Sequence, residues 1–180
     1  MNAEARYRQL LADIATEFPG FRLVRKDRSW LQRRIDLCLR LLTLGGQSQY
    51  LDGYVTTIGR RVYVPRDWDA RPAAERYLVL LHERVHLRQF RRFGLPLMAV
   101  LYLLFPLPFG LAWARMRLER EAYEETLHAT AAWYGRAAVC DPAFRAHIVE
   151  QFVSGAYGWM WPFRGAIERW YDGVVAALPP

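Results

Sequence analysis

Two histidines four positions apart, in the segment His82-Glu83-Arg84-Val85-His86, place the strongest constraint on how this chain can fold. The apolar residues around them recur at helical spacing and predict a helix over about 72–92 with one side buried. Residues four apart lie on one side of a helix, so both imidazoles can bind one cation together. Glu83 is rotated by about 100° from His82, which directs its carboxylate toward a water on that cation. The motif therefore predicts a metal site in which Glu83 is the general base.

A glutamate-rich segment follows on a second predicted helix, over residues 112–136. Its glutamates stand at positions 119, 121, 124 and 125. Because Arg117 and Arg120 alternate with them, the same segment also fits a charged surface that faces solvent. The assignment of one of these glutamates to a metal therefore depends on the two histidines and not on the run itself.

The two segments together resemble the zincin metallopeptidases, and among them the gluzincins, whose third zinc ligand is a glutamate. The resemblance extends over about residues 53–130 and includes, more loosely, the β-like sequence VTTIGRRVYVP before the motif helix. The metzincin extension is absent, because neither Gly nor His follows at its spacing. The resemblance implies one Zn²⁺ ion and hydrolysis of a peptide or amide bond, through a zinc-activated water whose proton Glu83 accepts.

The resemblance also implies a third zinc ligand on the downstream helix, with an acidic residue four positions later that orients a zinc-binding histidine. Glu121 followed by Glu125 satisfies both conditions, so Glu121 is the predicted ligand beside the two histidines. Glu119 is the alternative, although Tyr123 then stands where the acidic residue belongs. The sequence leaves both registers open.

The remaining parts of a peptidase are less well defined by the sequence. Such a site needs a donor for the developing oxyanion. The candidates for this role are Tyr157, Tyr123, His128 and Arg164. The resemblance to zincins implies a strand near the motif helix that aligns an extended peptide by backbone pairing. If 54–58 or 60–64 is an edge strand, a peptide or protein substrate is favoured. The alternative from another functional class is a zincin-like module that binds a partner without catalysis.

The predicted fold is α+β and mainly α, with a small antiparallel β hairpin packed on the motif helix. β-Branched and aromatic residues over 50–64 predict the hairpin, with a tight turn at Thr57-Ile58-Gly59-Arg60. Helices are expected over 3–18, 29–44, 72–92, 112–136 and 142–154, with a last one ending near 177. The length of 180 residues indicates a single domain over 1–180. Its expected parts are a helical region over 1–46, a catalytic core over about 50–135 and C-terminal helices over 141–178.

An apolar run over residues 93–114 contains no charged residue and is long enough to span a bilayer. Three prolines and two glycines interrupt it, which favours a buried segment over a spanning helix. Gly94-Leu95-Pro96 is expected to end the motif helix. Peripheral membrane contact through residues 95–114 stays an alternative.

Charge and the N-terminal segment bear on partners and location. The net charge is +7, but the excess is arginine expected on exposed helix faces, so a nucleic-acid partner is not expected. The first residues form an amphipathic pattern with acidic side chains, unlike a signal peptide. A cytoplasmic location, with or without contact to a membrane, is therefore expected.

Overall fold

A computed structural model of the chain describes residues 2–28, 54–103, 112–154 and 160–179. The predicted α+β, mainly α class is confirmed. The helices within these residues are α1 Ala3–Glu17, α2 Ala73–Leu103, α3 Trp113–Tyr134, α4 Arg136–Cys140, α5 Pro142–Val153 and α6 Arg164–Ala177. The strands are β1 Arg22–Arg25, β2 Thr56–Ile58 and β3 Arg61–Val64. The helix predicted over 29–44 and the first part of the predicted β segment, 50–53, lie outside the described residues.

Helix α1 begins at a side-chain cap. The Asn2 side chain accepts a hydrogen bond of 2.8 Å from the Ala5 amide, which satisfies an N–H group that has no partner within the helix. The buried side chains of α1 recur at the spacing of one helix face, namely Tyr7, Leu10 and Ile14. After the helix, Gly20 adopts a φ of 87° and turns the chain toward β1.

The three strands form one sheet in the order β1-β3-β2. Strands β2 and β3 pair antiparallel, which confirms the predicted hairpin. Its turn lies one residue later than predicted, because Gly59 and Arg60 connect the strands and Gly59 supplies a φ of 61°. Strand β1 pairs parallel with β3 and was not predicted, since its four residues are too short a pattern to identify a strand.

Helix α2 carries the histidine motif and bends at Gly94. This residue has φ 73° and ψ 162°, outside the helical region, so two helical segments meet there at a kink. The break predicted at Gly94-Leu95-Pro96 is confirmed, although the helix resumes and continues to Leu103. In the part of the chain that the structure describes, no helix combines the length and the apolar character needed to cross a bilayer.

The chain forms two compact units, residues 1–90 and 91–180. In the first unit, α1 lies beside α2 and runs in the same direction. Arg76 near the start of α2 pairs with Glu4 at 2.9 Å, and Glu17 at the end of α1 accepts hydrogen bonds from arginines further along α2. Ion pairs from both ends of α1 therefore hold the motif helix in place within the first unit.

The Glu17 carboxylate accepts hydrogen bonds from two arginines of α2. It accepts from Arg88 Nε at 2.8 Å and from Arg84 Nε at 2.6 Å. The hydrogen bond from Arg88 holds the pKa of the Glu17 carboxyl below its usual value, Arg84 adds to this effect, and partial burial opposes it. Since Arg84 lies within the histidine motif, this cluster ties α1 directly to the candidate site.

The second unit has its own apolar core, formed by α3 to α6. The Phe152 ring lies 5.2 Å from that of Tyr123 and 5.4 Å from that of Trp170. The Tyr171 hydroxyl donates 2.7 Å to the Val139 carbonyl, and burial raises the pKa of Tyr171 to about 12. The organisation into one zincin-like domain stays a prediction.

Candidate metal centre

The two motif histidines face each other across one turn of α2. Their Nε2 atoms lie 3.2 Å apart and their ring centroids 4.9 Å apart. His86 is buried and His82 is half-buried. Two nitrogens bound to one tetrahedral zinc ion at about 2.0–2.1 Å lie roughly 3.3 Å from each other. The pair therefore has the separation that one shared ion requires.

Gln89 sets the orientation of His86. Its Oε1 lies 2.9 Å from His86 Nδ1, and both side chains are buried. Because an amide oxygen only accepts hydrogen bonds, His86 Nδ1 is the donor, and a neutral imidazole then keeps its lone pair on Nε2. That lone pair is the one a metal ion binds. Gln89 was not predicted as a site residue, although its position three residues after His86 places it on the same side of the helix.

Glu83, the predicted general base, is buried and contacts the sheet. Thr57 Oγ1 donates a hydrogen bond of 2.6 Å to Glu83 Oε2, and Glu83 is 5% exposed. Thr57 belongs to β2, so the contact joins the hairpin to the motif helix, as the sequence predicted. A carboxylate accepts several hydrogen bonds, so this contact leaves Glu83 able to accept a proton from water.

In the second unit, α3 buries Glu119 and exposes Glu121. The two side chains project about 200° apart around the helix, so they cannot both face inward. Glu119 is 5% exposed, and Tyr102 donates a hydrogen bond of 3.0 Å to its Oε1. Glu119 lies on the buried face of α3 between Met116 and Tyr123. The helical spacing of Glu119 from the apolar residues Met116 and Tyr123 was therefore the sequence signal that its side chain is buried.

His82, His86 and Glu119 form a group that could hold a metal ion. Each offers one ligand atom, and the three atoms lie within 4.8 Å of one another. Of the two registers that the sequence left open, this group contains Glu119, the alternative to the predicted ligand Glu121. Two imidazoles and one carboxylate are the donor set of zinc sites that keep a fourth position open, so these residues fit the implied ion. The expectation that Glu125 orients a zinc-binding histidine stays a prediction.

The candidates for the oxyanion donor have different surroundings. Tyr123 is buried in the core of the second unit. His128 is exposed, nine positions after Glu119, and therefore projects from the opposite side of α3. Arg164 is exposed at the first position of α6, and Tyr157 lies outside the described residues. The identity of this donor stays open.

No protein-family model, no characterised protein and no solved structure matches the chain. The functional interpretation therefore depends on the chemistry and the spacing of the side chains described above.

Proposed function

We propose that the protein is a zinc-dependent peptidase, with His82, His86 and Glu119 as zinc ligands and Glu83 as general base. The observation that carries the proposal is the group of two imidazoles and one buried carboxylate, with a second buried glutamate next to the first histidine. When bound, the zinc ion lowers the pKa of a water and polarises the substrate carbonyl. The chain's own residues supply the proton transfer, the orientation of the ligands and the alignment of the substrate.

Glu83 performs the proton transfer. It accepts the proton of the attacking water and passes it to the leaving amine. Thr57 restrains this carboxylate by its hydrogen bond to Oε2, so the other oxygen keeps a fixed direction. Because Glu83 is only 5% exposed, bulk water does not screen its interaction with the developing charges.

Two further residues orient the ligands. Gln89 accepts a hydrogen bond from His86 Nδ1, so the lone pair of His86 is on Nε2, the atom that faces His82. Tyr102 donates to one oxygen of Glu119 and restrains the carboxylate in one rotamer. Contacts of this kind around metal ligands typically contribute about 10–100-fold to metal affinity.

A peptide is the substrate class that β2 favours. Among the described residues, β2 has a neighbouring strand on one side only. The open side of such a strand presents N–H and C=O groups with which an extended peptide can pair. Since Thr57 of this strand contacts Glu83, a peptide paired with β2 would pass beside the base.

Cleavage of a mixed peptide library by the zinc-loaded protein, with new termini identified by mass spectrometry, tests the proposal. Glu83→Gln keeps the size of the side chain but removes the base, so we expect full zinc content and a loss of about 100-fold or more in rate. Glu121→Gln, which alters an exposed glutamate of α3, is the matched control and should cleave like the wild type. A wild-type protein that binds zinc and cleaves no faster than Glu83→Gln would show that the site is not hydrolytic.

A further inference from the structure

A surface of apolar side chains is exposed on the second unit, on parts of α2 and α3 that hold no metal ligand. Leu95, Leu97 and Val100 are 54%, 45% and 37% exposed, and Trp113 is 59% exposed. Pro96 is exposed as well. We call these five residues the apolar surface. Exposed positions on a helix that faces water ordinarily carry polar side chains, and none of the exposed positions from 95 to 100 does.

The two helices that carry the apolar surface contact each other. The Tyr102 hydroxyl donates to Glu119 of α3, and the Arg115 guanidinium lies 5.9 Å from the centroid of the Tyr102 ring. The first turns of α3 therefore lie against the end of α2. Trp113, the first residue of α3, is exposed at this end of the helix pair.

Exposed arginines stand on either side of the apolar surface residues in the sequence. Arg91 and Arg92 precede Leu95 by four and three positions, across the kink at Gly94, and Arg117 lies one turn after Trp113. The charged residues around them are all basic, since six arginines and no acidic residue occur between Glu83 and Glu119. An exposed apolar centre with a cationic border is complementary to a surface that is anionic outside and apolar beneath.

The geometry points to an anionic lipid bilayer as the partner of the apolar surface, bound peripherally. The leucine, valine and tryptophan side chains enter the boundary between headgroups and acyl chains, while the bordering arginines contact lipid phosphates. The exposed positions on α2 extend over about 200° of the helix circumference, so this surface is convex. A bilayer can take up a convex apolar surface whatever the arrangement of its side chains, whereas a protein partner would need a groove that encloses it.

Co-sedimentation with lipid vesicles tests this inference on the full chain. One set of vesicles contains phosphatidylcholine alone, and the other contains equal parts of phosphatidylcholine and phosphatidylglycerol. We expect at least tenfold stronger partition onto the anionic vesicles at low salt, and a decrease as salt is added. Absence of partition onto either vesicle, or equal partition onto both, overturns the inference.

Paired variants separate the apolar and the charged contributions. The double variant Leu95→Ser with Leu97→Ser should bind anionic vesicles at least tenfold more weakly, while Phe163→Ser, at a residue 55% exposed elsewhere, should bind like the wild type. Arg91→Gln with Arg92→Gln should lose about tenfold or more on the same vesicles. Arg8→Gln with Arg66→Gln, at exposed positions of the first unit, is its control. Equal losses in test and control variants would show that the binding is nonspecific and would overturn the inference.

Discussion

Replacement of Gln89 by leucine should weaken zinc binding without unfolding the protein. Gln89 Oε1 accepts from His86 Nδ1 at 2.9 Å, and the two residues are only 4% and 6% exposed. Leucine has a similar volume and no acceptor. In the zinc-free variant, His86 can avoid an unpaired N–H by carrying its proton on Nε2, which faces His82 at 3.2 Å. Zinc needs the Nε2 lone pair, so only the zinc-bound form must give up the hydrogen bond that Gln89 Oε1 accepts from His86 Nδ1.

The size of the effect follows from the loss of this hydrogen bond. A buried donor without a partner costs about 1–3 kcal/mol, which corresponds to a roughly 5- to 150-fold change in affinity. Because the zinc-free form avoids this cost, the dissociation constant for zinc should rise by about 10–100-fold, the range found for partners of metal-binding histidines. The melting temperature of the zinc-free protein should change little.

Competition against a chromophoric chelator of known zinc affinity measures this constant. Gln89→Glu retains an acceptor of nearly the same reach, so it should bind zinc within a few-fold of the wild type and serves as the control. Thermal unfolding of the zinc-free proteins shows whether the leucine variant is folded. A leucine variant with the wild-type dissociation constant, or a glutamate variant as weak as the leucine variant, would refute the orienting role of Gln89.

Three further substitutions address single contacts. Thr57→Val removes the hydrogen bond to Glu83, so kcat should fall about tenfold with unchanged zinc content, and Thr57→Ser should restore it. Tyr102→Phe removes one hydrogen bond to the Glu119 carboxylate, and its zinc dissociation constant should rise about tenfold in the same chelator assay. Glu17→Gln should lower the free energy of unfolding by about 1–2 kcal/mol at pH 7 in urea titrations, since it removes charged hydrogen bonds to α2. Because the pKa of Glu17 is lowered from 4.5 in the folded protein, this contribution is present above pH 4.5 and lost below it, so wild type and variant should converge at lower pH. A constant difference down to pH 3 would contradict the assignment.

The histidine motif could be predicted because its geometry is local. The spacing of His82 and His86 fixes which side of a helix they share, whatever the rest of the chain does. The break at Gly94-Leu95-Pro96 is local in the same sense and is present in the structure. Patterns of this kind depend on backbone chemistry within a few residues.

Apart from Gln89, the partners of the site residues could not be predicted, because they come from distant parts of the chain. Thr57 reaches Glu83 across 26 positions, and Tyr102 reaches Glu119 across 17, so neither contact has a spacing rule. The parallel pairing of β1 with β3 is similarly distant, with Arg22 opposite Arg61. Sequence reasoning can propose that such contacts exist, but the packing of the elements decides which residues make them.

Different features of the sequence favour Glu119 and Glu121 as the third ligand. An acidic residue four positions later favoured Glu121, but the rotation of α3 is set by its apolar residues. Met116, Tyr123 and Leu127 are buried on this helix, and Glu119 shares their side. The apolar pattern therefore predicts which of the two glutamates is buried, whereas the expected acidic neighbour does not.

Zinc content of the Glu119→Gln and Glu121→Gln variants, measured side by side after dialysis against limiting zinc, tests the proposed centre most directly. We expect one zinc ion per chain in the wild type and in Glu121→Gln, because the altered glutamate is exposed. Glu119→Gln should retain little zinc, since it loses the buried carboxylate of the group with His82 and His86. Full zinc content in Glu119→Gln, or loss of zinc in Glu121→Gln alone, would contradict the proposed ligand set.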